Sequence, residues 1–236
     1  MKAILAIETA TEACSVALYR GGNYQQCHEV VPRQHNQRLF VMLSELLERG
    51  SLRDQGVEAL AYGSGPGSFT GLRIAASAVQ GLAYASELPV VPVSTLACQA
   101  ATALRHGLAD GKHLLLSTID ARINEIYWAV FDVSGGTPGL LAGPFATPPE
   151  QVTLPGGTGA VDVVGSGARY LDRLPPVLCD RLAAVHPDLL PEARDLVPLA
   201  IAGLDRDECQ TSLEVRPVYV RDEINWKKLG EQGKRE

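Results

Sequence analysis

Cysteine is scarce in this sequence and badly placed for cross-linking. The five residues, Cys14, Cys27, Cys98, Cys179 and Cys209, are odd in number, widely scattered and never in a C-x-x-C spacing. That suggests neither a disulfide framework nor a zinc cluster and fits a reducing compartment. Basic charge is also short: 21 Lys and Arg against 27 Asp and Glu give a formal charge of −6 and a pI near 5.4. Without a standing basic face, direct and unaided binding to a phosphate backbone is not expected. No apolar run approaches the ~20 residues of a membrane span. The opening Met1-Lys2 leads into AILAIET, too short and too soon interrupted by Glu8 for a secretory signal. The expectation is a cytoplasmic protein with no membrane contact. What the 236 residues do have is a 46% hydrophobic content, enough for a real core divided between two small domains.

Periodicity and turn chemistry order the chain. AILAIETA and CSVALYRGG read as a hairpin closed by Gly21-Gly22, NYQQCHEVV reads as a third strand, and Pro32 ends the sheet pattern. QHNQRLFVMLSELLERG then turns helical, with Leu39, Met42, Leu43, Leu46 and Leu47 on one face and Gly50 as a stop. VEALAYG, TGLRIAASAVQGLAYASE, LPVVPVS and TLACQAATALRHG alternate strand, helix, strand, helix. Three hairpin-linked strands feeding crossover units predict a mixed sheet with helices on its faces, as in a ribonuclease-H-like lobe. From His113 the pattern restarts with HLLLSTIDA, NEIYWAVFDV and GLLAGPFAT. A second, related lobe is therefore expected over residues 109–236, after a first over 1–108. Within it LPGGTGAVDVVGSGARYLDRL reads as loop, short strand and helix, and PEARDLVPLAIAGL as a helix beginning on Pro191. The polar end is expected to fray beyond Trp226.

GSGPGSFTGLR, Gly63 to Arg73, is the stretch most like a working part. A phosphate-binding P-loop needs a lysine after its last glycine, whereas Gly71 is followed by Leu72. A dinucleotide fingerprint fails by one residue, since Gly65 and Gly67 are followed by Ser68-Phe69-Thr70. Backbone amides at a helix start can still take an anion. The plainer reading is a tight strand-to-helix turn with Ser68 or Thr70 as the cap.

This loop, with the opening LAIETATEACSVAL, the following PVSTLA, then IDARINEIYWAVF and the closing RPVYVRDE, resembles the TsaB (YeaZ) family of bacterial tRNA threonylcarbamoyladenosine biosynthesis proteins, from about Ala3 to Trp226. The resemblance implies an α/β, two-lobed actin-like ATPase (ribonuclease-H-like) fold with mixed sheets flanked by helices. It implies a non-catalytic partner and activator of TsaD. TsaD transfers the threonylcarbamoyl group to the adenosine beside the anticodon of tRNAs that read codons starting with adenine. It further implies the ATPase TsaE as a partner, a homodimer in the absence of TsaD, contact with tRNA only through the complex, and no cofactor.

Read for chemistry, the residues agree. TsaD-like proteins hold a metal with an H-x-x-x-H helix; here His35 is followed at that spacing by Leu39, so one ligand is missing. His28, His106, His113 and His186 lie apart, HEVVP lacks the second histidine of a zinc protease helix, and there is no G-x-S-x-G elbow. An actin-like ATPase presents a carboxylate on its first strand and a small-residue turn after it. AIETATEACS carries Glu8 in that place and Glu12 in the turn, where an acid repels polyphosphate. Glu8, Thr9 and Asp120 read as strand-end and turn residues. GSGARY at Gly165 suits either an adenosine-binding turn or a plain strand-to-helix turn. The rival functions are a small sugar-kinase-like ATPase and, less well supported, a metallopeptidase.

Helical surface points elsewhere. Leu39, Phe40, Met42, Leu43, Leu46 and Leu47 span an apolar arc of roughly 160°, with Val41 outside even that, where a surface helix needs ~100°. The surplus reads as a face for a partner, although a helix sandwiched between its sheet and a loop gives the same pattern. In the next helix Ala75, Ala76, Ser77, Ala78, Gly81, Ala83 and Ala85 permit close packing. The resemblance places both helices at subunit contacts. The expected partner-binding set is His35, Arg38, Leu39, Phe40, Val41, Met42, Leu46, Arg73, Ala76 and Gln80, with no catalytic, cofactor or metal residue. Lys227, Lys228, Lys234 and Arg235 are diluted by Glu231 and Glu236 and read as a solvated tail.

Overall fold

A strand buried on both faces has no use for alternation, and ILAIE at the start of the chain becomes β1 (Ile4–Glu8), buried throughout. It lies at the centre of a five-stranded sheet in the order β3-β2-β1-β4-β5. The structure, a computed structural model, describes residues 2–47, 51–109, 111, 113–156 and 159–220. The Gly50 stop and the basic tail lie outside the described residues. β2 (Ala13–Arg20) and β3 (Asn23–Val30) continue from β1 as antiparallel hairpins, and β4 (Ala59–Gly65) and β5 (Val90–Ser94) run parallel to β1. α1 (His35–Leu46) and α2 (Phe69–Ser86) cover one face, packing on Leu5, Ile7, Val16 and Leu60.

The second sheet repeats this plan in the order β10-β9-β6-β7-β8. β6 (Leu114–Arg122), β7 (Glu125–Asp132) and β8 (Gly139–Thr147) are antiparallel, and β9 (Val161–Val164) and β10 (Leu182–His186) are parallel to β6. α3 (Thr95–Arg105) joins the lobes, sending Cys98 to the first sheet and Leu96, Ala100 and Ala103 to the second. The outer face of the second sheet is closed by 3-10 turns and by α4 (Pro176–Cys179). Among the described residues no helix is long and apolar enough to cross a membrane.

Three features depart from the sequence expectation. β10 has no counterpart in it, because LAAVH is short and only partly buried. The helix expected over GSGARYLDRL is a 3-10 segment, Ser166–Arg173, with a non-helical Tyr170. The last helix, α5 (Ala193–Asp205), starts after Glu192 rather than on Pro191. α5 falls within residues 109–236 yet packs on the first sheet, where Leu196, Val197 and Ala200 cover Ile4, Ala6 and Val91. The chain then runs back along the first lobe as a strap. Gln210 exchanges two backbone hydrogen bonds with Val90 (2.7 and 2.9 Å), Tyr62 donates its hydroxyl to the Arg216 carbonyl (2.9 Å), and the Val218 amide reaches Ser64 (2.7 Å).

Candidate functional site

The glycine loop after β4 lies directly against the turn joining β1 to β2. The Ser68 amide donates to the Ala10 carbonyl and the Thr9 hydroxyl to the Gly71 carbonyl, both at 2.7 Å. A Cβ on Gly71 would stand 2.0 Å from the Thr9 oxygen, and one on Gly67 would stand 2.5 Å from the Ala10 oxygen. These glycines therefore let two backbones meet. Of the two candidate caps the structure uses Ser68, whose Oγ accepts from the Gly71 amide.

Glu8 lies beneath this contact. It is fully buried, one oxygen accepting from the Ala10 amide (2.7 Å) and the other from the Thr95 hydroxyl (3.2 Å). A Cβ on Gly63 would fall 1.9 Å from the carboxylate. Burial pushes the carboxyl up to about 7, against the pull of the hydrogen bonds from Ala10 and Thr95. Across the lobes Glu12 meets the Arg122 guanidinium at 3.5 Å. The corner between the β1–β2 turn and the glycine loop is thus filled by side chain and backbone of the same chain. The glycine of GSGARY has the same kind of role: a Cβ on Gly165 would stand 1.8 Å from Nε2 of Gln99, the buried α3 residue whose amide donates to Leu189 (3.1 Å).

Histidine provides no cluster. His35 is buried at the start of α1 with Nε2 3.2 Å from the Ala13 carbonyl. His106 pairs with Glu192 (2.7 Å) and His113 with Asp162 (3.3 Å) on separate elements. Among the described residues no three His, Cys, Asp or Glu side chains are placed to hold a metal ion.

The expected partner-binding residues separate into two groups. Leu39 and Met42 are fully buried, and His35 and Ala76 nearly so. Leu46 is half-buried against the same core. Leu39 and Met42 serve the interior and have no surface to offer a partner, which corrects their assignment as contact residues, and His35, Ala76 and Leu46 have little. Phe40 and Val41 are 62% and 42% exposed on α1. Arg73 and Gln80 are exposed on α2, and Arg38 is half-buried in an ion pair with Glu29. The sequence reading missed Phe69 and Tyr84, 52% and 74% exposed on α2. The available signal was two large rings in a helix of mostly small residues. The strap completes this face: Arg73 lies over the Phe69 ring (3.7 Å) and donates to the Tyr219 hydroxyl (3.1 Å), and Gln80 donates to the Ser212 carbonyl (3.1 Å). Phe40 and Val41 on α1 and Phe69 and Tyr84 on α2 are thus large apolar side chains left exposed on two helices of the first lobe.

Residues 24–173 match the family described as TsaD, tRNA N6-adenosine threonylcarbamoyltransferase. The chain is 38% identical to the tRNA threonylcarbamoyladenosine biosynthesis protein TsaB of Escherichia coli (strain K12), over 96% of this chain and 97% of that protein. It is 33% identical to the protein of the same name from Haemophilus influenzae, over 96% of each. Among solved structures it is similar to YeaZ from Pseudomonas aeruginosa, with a TM-score of 0.82 and 39% identity over 93% of this chain and 100% of that one.

Proposed function

The chain belongs to the TsaB family of tRNA threonylcarbamoyladenosine biosynthesis proteins, and from that membership we propose that it is a non-catalytic partner and activator of a TsaD-type threonylcarbamoyltransferase. The two similar lobes are those of an actin-like ATPase fold whose phosphate corner has been given over to structure. One observation carries the reading. The β1–β2 turn and the glycine loop close on each other over the buried Glu8 through the Ser68–Ala10 and Thr9–Gly71 contacts, while Phe40, Val41, Phe69 and Tyr84 stand exposed on α1 and α2. The partner is gripped by that face. TsaE joins the same assembly, tRNA is reached only through it, and the work is done in the cytoplasm. When the transferase is absent the face pairs with a second copy, so the two dimers compete for it.

The test is titration of the purified TsaD-type subunit into this chain and into Phe40→Asp and Val41→Asp variants. Each aspartate places a charge in a desolvated contact, and affinity is expected to fall at least about tenfold with the thermal midpoint unchanged. Undiminished pairing, or ATP turnover by the isolated chain, would sink the proposal. Met42→Asp is no substitute, because Met42 is fully buried and its variant loses the fold first.

A further inference from the structure

Toward the end of α3, away from Glu8, the two lobes leave a cavity of about 380 Å3. Thr95, which meets Glu8, opens that helix, whereas Ala101 and Leu104 of its later turns line the cavity. Leu104 stands nine residues beyond Thr95, about 14 Å along the axis, so the cavity is separate from the corner described above. Tyr24 of β3, Arg194 and Leu199 of α5, and Pro138 between β7 and β8 close its other sides. Leu104 packs against the core of the second sheet and Leu199 against a core of the first, so both lobes contribute walls.

These walls are mostly apolar, and the polar groups among them are unequally spent. Arg105 is taken up by Asp195 (2.8 Å) and Glu192 (2.7 Å). Asp195 also accepts from Thr102 (2.7 Å), and Glu192 meets His106 (2.7 Å) and Gln26 (2.8 Å). Arg194 has no such partner. Its guanidinium carbon lies 4.3 Å from the centre of the Tyr24 ring, and among the described residues neither that guanidinium nor the Tyr24 hydroxyl makes a hydrogen bond. Burial pushes the Tyr24 phenol above its ordinary pKa, so it stays a donor. An apolar cavity with two unspent donors has the make-up of a small-ligand site. Charge selects the ligand. A neutral apolar occupant would cut Arg194 off from water with no acceptor in return, and a polyphosphate would meet the field of Asp195 and Glu192. One negative charge matches the one unpaired cation. We propose that this cavity binds a small organic carboxylate, with Arg194 holding the anion, Tyr24 donating a second hydrogen bond, and Leu104, Pro138 and Leu199 enclosing the apolar part. The bound molecule fastens one lobe to the other.

The experiment is calorimetric titration of the full chain with cinnamate and with cinnamamide, which has the same shape and no charge. The parent is compared with Arg194→Gln, Arg194→Lys and Val41→Asp, each checked by its thermal midpoint. Cinnamate is expected to bind one per chain and at least about tenfold more tightly than the amide. Arg194→Gln should remove that preference, Arg194→Lys should keep most of it, and Val41→Asp should leave it unchanged. Saturating cinnamate should also raise the thermal midpoint of the parent but not of Arg194→Gln. No binding of cinnamate, or equal binding of the two probes, overturns the proposal. So does a preference that survives Arg194→Gln. Binding lost in Val41→Asp and kept in Arg194→Gln would place the probe on α1 and overturn it as well, while leaving the docking reading untouched.

Discussion

Gly71→Ala is expected to destabilise the protein by about 3 kcal/mol or more, whereas Gly81→Ala in the same helix is expected to stabilise it by about 1 kcal/mol. The chemistry of the two changes is identical, and their surroundings decide the sign. At Gly71 the new methyl group would meet the Thr9 carbonyl oxygen at 2.0 Å. That contact is backbone against backbone, so no rotamer can relieve it. Separating the two segments strands the Thr9 hydroxyl and the Ser68 amide, which now bond Gly71 and Ala10. At Gly81 nothing lies within 4 Å, and φ is not in the left-handed region, so alanine simply removes the entropic cost of a helical glycine. Urea unfolding of the two variants beside the parent measures both. Similar midpoints would mean that the β1–β2 turn is free to move away from α2, and the account of the filled corner would fall with that result.

The contribution of Glu8 to stability is expected to decrease as pH rises from 5 to 8, and Glu8→Gln should abolish that decrease. The folded carboxyl titrates at about 7, well above its ordinary value of 4.5, because burial penalises the charge. Below 4.5 the group is protonated in both states and the fold keeps its full stability. As pH rises through 4.5 the unfolded chain ionises freely while the folded chain holds its proton. The balance therefore shifts toward unfolding until the folded group also ionises near 7, after which the penalty is constant. The total is about 3 kcal/mol. Glutamine keeps an oxygen for the Ala10 amide and carries no charge. The variant should match the parent near pH 5 and exceed it at pH 8 by up to about 3 kcal/mol, reduced by any loss at the Thr95 contact. Carboxylates that the fold favours as anions, such as Glu192 between His106, Gln26 and Arg105, act in the opposite sense at low pH. Burial of His28, which holds its pKa below the usual value, opposes the Glu8 effect as pH rises. All of these groups are common to both proteins and cancel in the comparison. Parallel pH profiles for parent and variant would show that Glu8 does not carry the effect.

Much of the fold was legible because its signals are local. The unbroken ILAI, the diglycine after Arg20 and the serine before Phe69 each state a preference that the neighbouring residues satisfy, and β1, the first hairpin and the cap of α2 follow. The restart of the strand pattern at His113 was legible for the same reason, and the two sheets repeat one strand order. The docking surface was legible only in outline. An arc of about 160° on α1 says that the helix has more apolar surface than one contact needs, without saying which edge of it is spare.

By itself the sequence determined the family and, β10 and the 3-10 segment Ser166–Arg173 apart, the main elements and their order, since helical period, turn chemistry and motifs are properties of short stretches. Tertiary structure decided that Leu39 and Met42 turn inward while Phe40 and Val41 remain outside. It decided that α5 closes the first sheet although it is read after the second. It decided, too, that Gly63, Gly67, Gly71 and Gly165 are glycines because distant backbone or side chains occupy the space of a Cβ. The physical reason is common to all three. Each depends on what the chain brings back from far away in sequence, and no local preference encodes the identity of a neighbour that arrives from elsewhere in the fold.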